Sequence, residues 1–153
     1  MKLYFRDKLN LFKPQLFEDA AISAFKKLQI NGKIEIGLII TDNIEIRKLN
    51  NKYRHIDKET DVLSFPVDKP DKKEQYTMLG DIVISYQMAQ QYAQKTCLEQ
   101  GRETCLERSR ENKEDIKKEL VMLFKHGLLH LLGYDHEKNK KEWQEAELKI
   151  VNC

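Results

Sequence analysis

The sequence predicts an α+β fold in which about five helices pack on a small mixed four-stranded sheet. Four segments show the residue alternation or short apolar runs of strands, and others show the three- and four-residue apolar spacing of helices. These segments do not follow one another as regular strand–helix–strand units, which favours separate layers of helix and sheet. The length of 153 residues suits one domain over 1–153 with a substantial core.

The composition is that of an ordinary globular chain with a well-charged surface. Hydrophobic residues make up 41% and charged residues 34%, and the formal net charge is only +2. Such a balance does not indicate a strongly basic nucleic-acid-binding domain, although it allows a local basic patch. No apolar run approaches the length of a membrane span, and the charged N-terminus lacks the apolar core of a signal peptide. We expect a cytoplasmic protein without a membrane partner.

The first strand and the first helix come from the N-terminal 28 residues. Residues 2–6 are predicted to form a short edge strand. The segment from Pro14 to Leu28 is predicted to be a helix, because Phe17, Ala21 and Ala24 recur on one face. A proline also suits the first turn of a helix.

A second strand and a second helix follow. Asn31-Gly32 is a turn signal, after which the segment from Ile34 to Ile40 alternates like a half-buried strand. Asp42 is expected to cap a helix that runs from Ile44 toward Tyr53, because aspartate side chains accept hydrogen bonds from free helix N–H groups.

The second half predicts two more strands and three more helices. Val62 to Val67 and Leu79 to Ser85 are the strand candidates, and a polar loop with two prolines separates them. Helices are expected at about 86–110, 114–132 and 138–150. We expect all helices to cover one face of the sheet.

One segment is a near repeat. TCLEQGRE at 96–103 and TCLERSRE at 104–111 match at six of eight positions. A period of eight is too short for a solenoid unit, and we interpret the repeat as a small duplication that extends a solvated helix. The three cysteines show no metal-binding spacing, and reduced thiols are expected in the cytosol.

Three of the four histidines fall in HGLLHLLGYDH at 126–136. His126 and His130 are four residues apart, so a helix places both rings on one face with Cα atoms about 6 Å apart. His136 can join them only if the chain turns back, and Gly133 can adopt the left-handed conformation that ends a helix. The pattern H-x-x-x-H-x-x-G-x-x-H has metzincin-like ligand spacing and predicts a metal site on a helix that ends in a glycine turn.

Three neutral imidazoles leave a fourth coordination position for water, which is the layout of catalytic zinc sites. Zinc is the expected ion, one per chain, although nickel and other divalent transition ions accept the same nitrogen donors.

Gly127 stands where zinc peptidases with H-E-x-x-H carry the glutamate that acts as general base. We interpret Gly127 as a site of close packing, which makes peptide hydrolysis by the usual route unfavourable.

Two carboxylates near the histidines each have two interpretations. Glu119 lies seven residues before His126 on the same helical stripe. It either orients a ligand histidine through a hydrogen bond or is an acid of the early helix, where the dipole favours negative charge. Asp135 is either a hydrogen-bond acceptor for a ligand or a plain turn residue.

Three blocks of the chain resemble the YbeY family of bacterial metal-dependent endoribonucleases. They are LNNKYRHIDKETDVLSFP at 49–66, LGDIVIS at 79–85 and ELVMLFKHGLLHLLGYDH at 119–136. The resemblance implies a single metal-dependent hydrolase domain whose zinc-like ion is held by His126, His130 and His136. The functionally important arginine of the family matches Arg54. His55 departs from the glycine that often follows that arginine, which leaves the shape of the local loop open.

The resemblance further implies an endoribonuclease that prefers single-stranded RNA and acts in maturation of ribosomal RNA, at the small-subunit 3′ end, and in ribosome quality control. RNA would then be the partner, with the ribosome or its proteins as further candidates. Arg54 would clamp a phosphate, because a planar guanidinium presents paired donors to phosphate oxygens. Ser64 is interpreted either as a phosphate contact or as a structural serine. Two alternatives stay open: a metallopeptidase, and a non-catalytic ribosome assembly factor whose metal is structural.

Overall fold

The computed structural model describes residues 1–67, 77–99 and 109–151. The described strands and helices alternate irregularly along the chain, as an α+β fold requires. The strands are β1 (Lys2–Asp7), β2 (Ile34–Thr41), β3 (Val62–Pro66) and β4 (Thr77–Ser85). The helices are α1 (Gln15–Lys27), α2 (Asn43–Arg54), α3 (Tyr86–Glu99), α4 (Ser109–Leu131) and α5 (Lys140–Val151). The predicted fold class is confirmed.

The four strands form one mixed sheet in the order β1-β2-β4-β3. β1 pairs with β2 and β2 with β4 in parallel, whereas β3 pairs with β4 antiparallel, with Leu63 opposite Val83. β1 lies at one edge, as predicted, and β3 lies at the other. The hydrogen-bonding groups on the outer side of β3 therefore face away from the sheet.

The larger core lies between the sheet and four helices. Phe17 of α1 and Phe124 of α4 are fully buried there, and their rings meet edge to face with centroids 5.5 Å apart. The sheet contributes every second residue of its two central strands, which is the side-chain period of a strand. These residues are Ile36, Leu38, Ile40, Ile82 and Ile84, all fully buried.

The opposite face of the sheet is also covered, so the expectation that helices cover a single face is wrong. Ile46 of α2 packs there with Leu63 and Val83 in a second, smaller core. The reason lies in the central strands, which carry apolar residues at consecutive positions rather than at alternate ones. A strand of this kind needs apolar cover on both faces.

The ends of α2 follow the expected capping chemistry. Asp42 accepts a hydrogen bond from the backbone N–H of Glu45 at 2.7 Å, which confirms the predicted cap. After Arg54 the chain leaves the helix through His55, whose φ of 59° is left-handed. A family member with glycine here would adopt this conformation at lower cost. The helix end therefore keeps a glycine-type geometry although the residue is histidine.

The predicted border between the third and fourth helices is wrong, because α4 begins at Ser109 rather than near 114. The third helix is observed to Glu99, and residues 100–108 lie outside the described part of the chain. Most of the near repeat at 96–111 lies there as well.

Cys97 is buried and disulfide-bonded, contrary to the expected reduced thiol. Among the described helices, none combines the length and the apolar character needed to cross a bilayer.

Candidate metal centre

The end of α4 and the turn after it bring the three clustered histidines together. His126 and His130 lie on one face of α4, and their Nε2 atoms are 3.2 Å apart. The helix ends at Leu131, and Gly133 follows with a left-handed φ of +91°. The next N–H, that of Tyr134, bonds back to the carbonyl of Leu129 at 3.0 Å, as in a Schellman-type helix end.

His136 emerges from this turn beside the other two rings. Its ring centroid lies 5.7 Å from that of His126 and 5.2 Å from that of His130. One ligand nitrogen from each residue falls within a group whose members are all within 4.8 Å of one another. The turn at Gly133 thus brings His136 to His126 and His130, as the spacing predicts.

The donor set fits an ion of the zinc class. Zn–N bonds of about 2.0–2.1 Å in a tetrahedral site place two ligand nitrogens about 3.3 Å apart, close to the 3.2 Å between His126 and His130. His136 is exposed on a turn, so a side-chain rotation suffices to bring its nitrogen nearer. Only nitrogen donors converge here, which suits zinc or nickel better than calcium or magnesium.

The environment favours neutral rings, the form that binds metal. Burial is the main cause that lowers the pKa of His126, followed by the charges of His130 and His136. Burial also lowers the pKa of His130, followed by His136 and, more weakly, by Arg54. At neutral pH the rings of His126 and His130 are therefore neutral, and each has a nitrogen lone pair that can bind an ion.

The three histidines line an open cleft of about 1180 Å³. One wall is β3 and its edge, another is the end of α2, and the floor is the end of α4 with its turn. Arg54 lines this cleft, and its charge acts on His130. The structure therefore brings Arg54 and the three histidines to one surface.

Ser64 and Gly127 belong to the contact between β3 and α4. The hydroxyl of Ser64 donates to the backbone carbonyl of Gly127 at 3.3 Å, and Ser64 also lines the cleft. A Cβ at position 127 would lie 2.8 Å from Cγ2 of Ile82 and 3.1 Å from the Ser64 hydroxyl. The close packing predicted for Gly127 is confirmed, and a glutamate side chain has no room at this position.

The two carboxylates near the histidines take different places. Glu119 accepts a hydrogen bond from Thr96 of α3 at 3.4 Å and is not among the residues that line the cleft. Burial raises the pKa of Glu119. Asp135 accepts a hydrogen bond from the N–H of Glu137 at 2.9 Å and pairs with Lys138 at 3.2 Å. It is a turn residue that lies near His130, and its charge works against the lowering of that ring's pKa.

Three features of the site were not singled out from the sequence. Asp61 lines the cleft, accepts hydrogen bonds from Val62 N–H and the Thr60 hydroxyl, and opposes the lowering of the His126 pKa. The rings of Tyr53 and Phe65 meet at the cleft with centroids 5.0 Å apart. Asp61 directly precedes β3, which belongs to one of the three blocks that resemble the family. This position is the sequence feature that could have indicated it.

The third feature is Trp143 of α5, which packs against all three histidine rings. Its position depends on how α5 folds back over α4. The apolar spacing of α5 marks Trp143 as a core residue but gives no sign of its neighbours.

Imidazoles converging from a helix and a turn onto an open cleft, with a cation beside them, are typical of metallohydrolases. The family model described as Endoribonuclease YbeY matches residues 8–106 and 101–152. The chain belongs to this family.

Several curated relatives carry the name Endoribonuclease YbeY. The Aquifex aeolicus protein is 38% identical over 148 residues, which cover 95% of this chain and 84% of the relative. The Acetivibrio thermocellus protein is 36% identical, covering 90% and 86%. The Persephonella marina protein is 40% identical over 111 residues, which cover 72% of this chain and 62% of the relative. A Thermotoga maritima protein solved in solution superposes with a TM-score of 0.56 at 25% identity, covering 97% of this chain and 86% of that one.

Proposed function

We propose that this protein is a metal-dependent endoribonuclease that cleaves single-stranded RNA during maturation of ribosomal RNA. The proposal extends to the 3′ end of the small-subunit RNA and to ribosome quality control. One observation carries it: His126, His130, His136 and Arg54 line the same open cleft. The relatives named as endoribonucleases, at 35% identity or more over most of the chain, support the same reaction.

Each group in the cleft has a chemical task in this proposal. The three imidazoles hold the ion and, being neutral, leave it its full positive charge. When bound, a zinc-class ion supplies Lewis acidity that activates water and polarises a phosphate. Arg54 binds the phosphate oxygens through its planar pair of donors and stabilises the charge that grows on them. Ser64 is bonded to Gly127 and keeps β3 in place beside the histidines.

The cleft also has features that suit an extended strand of RNA. Tyr53, Phe65 and Tyr134 line it, and Tyr53 is 54% exposed. Unpaired bases stack on aromatic rings, whereas the bases of a duplex are already stacked and paired. The outer edge of β3 offers backbone groups along the same path. These features support a preference for single strands.

Zinc is the ion we propose, one per chain, with nickel and similar divalent ions as competitors for the same donors. We place the protein in the cytoplasm, where ribosomal RNA is processed, with that RNA and the ribosome as partners. A metallopeptidase is disfavoured, because the glutamate that serves as base in H-E-x-x-H enzymes cannot fit at position 127.

The test is cleavage of end-labelled RNA by zinc-loaded protein. We expect single-stranded RNA to be cut, the matching duplex to be cut much more slowly and a peptide library to remain intact. His130→Ala should abolish cleavage. His55→Gly is the matched control, because it removes the fourth histidine, which lies outside the cluster, and glycine accepts the left-handed φ of 59° found there.

Cleavage that persists in His130→Ala would rule out this metal centre as the active site. Purified wild-type protein that binds ribosomes but leaves RNA uncut under all metal conditions would contradict the proposal and favour a non-catalytic assembly factor.

A further inference from the structure

Trp143 lies next to all three histidine rings of the candidate metal centre. It lies in the first turn of α5, and its side chain is buried with only 4% of its surface exposed. Its ring centroid lies 4.8 Å from that of His126, 4.8 Å from that of His130 and 5.0 Å from that of His136. One indole therefore contacts every predicted ligand.

The arrangement of the four rings shows which side of the site the indole covers. The three histidine centroids are separated by 4.9, 5.7 and 5.2 Å. Together with the indole centroid they form a nearly regular tetrahedron, with the indole at the apex above a triangle of imidazoles. One side of that triangle is therefore covered by an apolar ring.

The cleft lies on the other side. All three histidines line it, whereas Trp143 does not, although each histidine ring touches the indole. An ion held by these three imidazoles would therefore have the indole on one side and the cleft on the other. Such a division matches a site that offers its vacant coordination position only to substrate and water in the cleft.

The helix that carries Trp143 is tied to α4 at its C-terminal end. At its start, the helix's own first i→i−4 hydrogen bond runs from the backbone N–H of Trp143 to the carbonyl of Asn139 at 3.1 Å. At the end, the buried ammonium of Lys125 in α4 donates to the carbonyl of Ile150 at 2.8 Å. Lysine at a helix C-terminus also interacts favourably with the helix dipole. α5 is thereby held against the same helix that carries His126 and His130.

We propose that Trp143 is a positioning residue that closes one side of the three-histidine centre. Its contacts fix the planes of the imidazoles and keep water from the closed side. Histidine ligands are commonly oriented by hydrogen bonds to carboxylates or carbonyls; here packing against one aromatic ring takes a large share of that task. The proposal rests on the metal site of the proposed function but does not depend on RNA cleavage.

Cobalt(II) is the probe, because its visible absorption is strong in four-coordinate sites and weak when further waters bind. In wild type we expect strong absorption that saturates at one equivalent. Trp143→Ala leaves a cavity beside polar rings that admits water. We expect about 10- to 100-fold weaker cobalt binding, comparable to loss of other groups that orient ligands, and weaker absorption per bound ion. Trp143→Phe should restore most of both.

Phe25→Ala is the matched control. Phe25 is a buried aromatic residue of the same core, in α1, and it makes no ring contact with the histidines among the described residues. It should lower the melting temperature of the metal-free protein as Trp143→Ala does but leave cobalt affinity and absorption unchanged. Such a contrast separates ligand positioning from general loss of packing.

A second measurement needs no variant of Trp143. Trp143 is the sole tryptophan of the chain, so paramagnetic cobalt should quench its fluorescence with a midpoint equal to that of the absorption titration. Wild-type affinity and absorption in Trp143→Ala would overturn this inference while leaving the metal site standing, as would a Phe variant no better than the Ala variant. A wild type that binds no cobalt would overturn both this inference and the proposed function.

Discussion

Two arginines of α2 differ in what they face. Arg54 lines the cleft beside the histidines, whereas Arg47 forms a two-point pair with the exposed Asp57, both contacts at 2.8 Å. If Arg54 stabilises charge on a phosphate, Arg54→Ala should lower RNA cleavage by about 10²–10³-fold, with the bound metal retained. Arg47→Ala should change cleavage little, because exposed ion pairs contribute little. Cleavage rates and metal content of both variants check this, and equal losses in the two would contradict a specific role for Arg54.

Glu119 gives a prediction with a definite dependence on pH. Burial raises the pKa of this carboxyl above 4.5, and its Oε2 is buried without a hydrogen-bond partner among the described residues. The folded state therefore disfavours the ionised form, so wild type loses stability relative to Glu119→Gln as the pH rises through 4.5. The melting temperature of the variant should exceed that of wild type at pH 7, and the difference should shrink toward pH 4.

The exposed Glu114 supplies the control for that series, since Glu114→Gln should show no comparable trend. Zinc affinity should be unaffected in Glu119→Gln. A loss of zinc affinity in that variant would support the other interpretation, in which Glu119 orients a ligand histidine.

At this scale the sequence predicts the three histidines well, because helix geometry and one glycine determine where they meet. Arg54 is found only through the family resemblance, since no local pattern distinguishes it from Arg47. Glu119 illustrates the limit of a shared helical stripe: seven residues correspond to about 10 Å along the axis, and the hydrogen bond that Glu119 accepts comes from Thr96 of α3.

Helix α4 packs against the sheet at Gly127 with no space for a side chain there. Gly127→Ala should raise helix propensity by about 1 kcal/mol, yet the new methyl group meets Ile82 and Ser64 at 2.8 and 3.1 Å. Forcing a methyl group into a packed core costs about 1–3 kcal/mol, so we expect a net loss of stability in urea unfolding. Lys118→Ala, on the exposed side of α4, should be nearly neutral. A more stable Gly127→Ala protein would show that the contact between α4 and β3 is loose.

At the scale of elements, local patterns predict the strands and helices to within a few residues for most of the chain. The failures have physical causes. The segment at 100–114 is mostly polar, and charged residues recur throughout it, so its pattern does not determine where one helix ends and the next begins. Alternation in β2 predicts only one covered face; the apolar residue Ile39, which lies between the alternating positions, packs against the second core.

For the whole molecule, the site depends on contacts that no local pattern contains. β3 is the edge strand of the sheet, and its residues line the cleft together with the end of α4. α2, on the far face, ends where Arg54 reaches the same cleft. α5 folds back so that Trp143 lies under the histidines. These relations follow from packing, and the sequence alone specifies only the residues that take part.

The most direct test of the account is a zinc titration of metal-free protein, with RNA cleavage and bound zinc measured at each step. Because three histidines hold one ion beside the cleft, we predict no cleavage without metal, a linear rise with added zinc and a plateau at one ion per chain. His126→Ala, His130→Ala and His136→Ala should each remove both binding and cleavage. Full cleavage by the chelated protein, or a plateau that the histidine variants leave unchanged, would contradict the account.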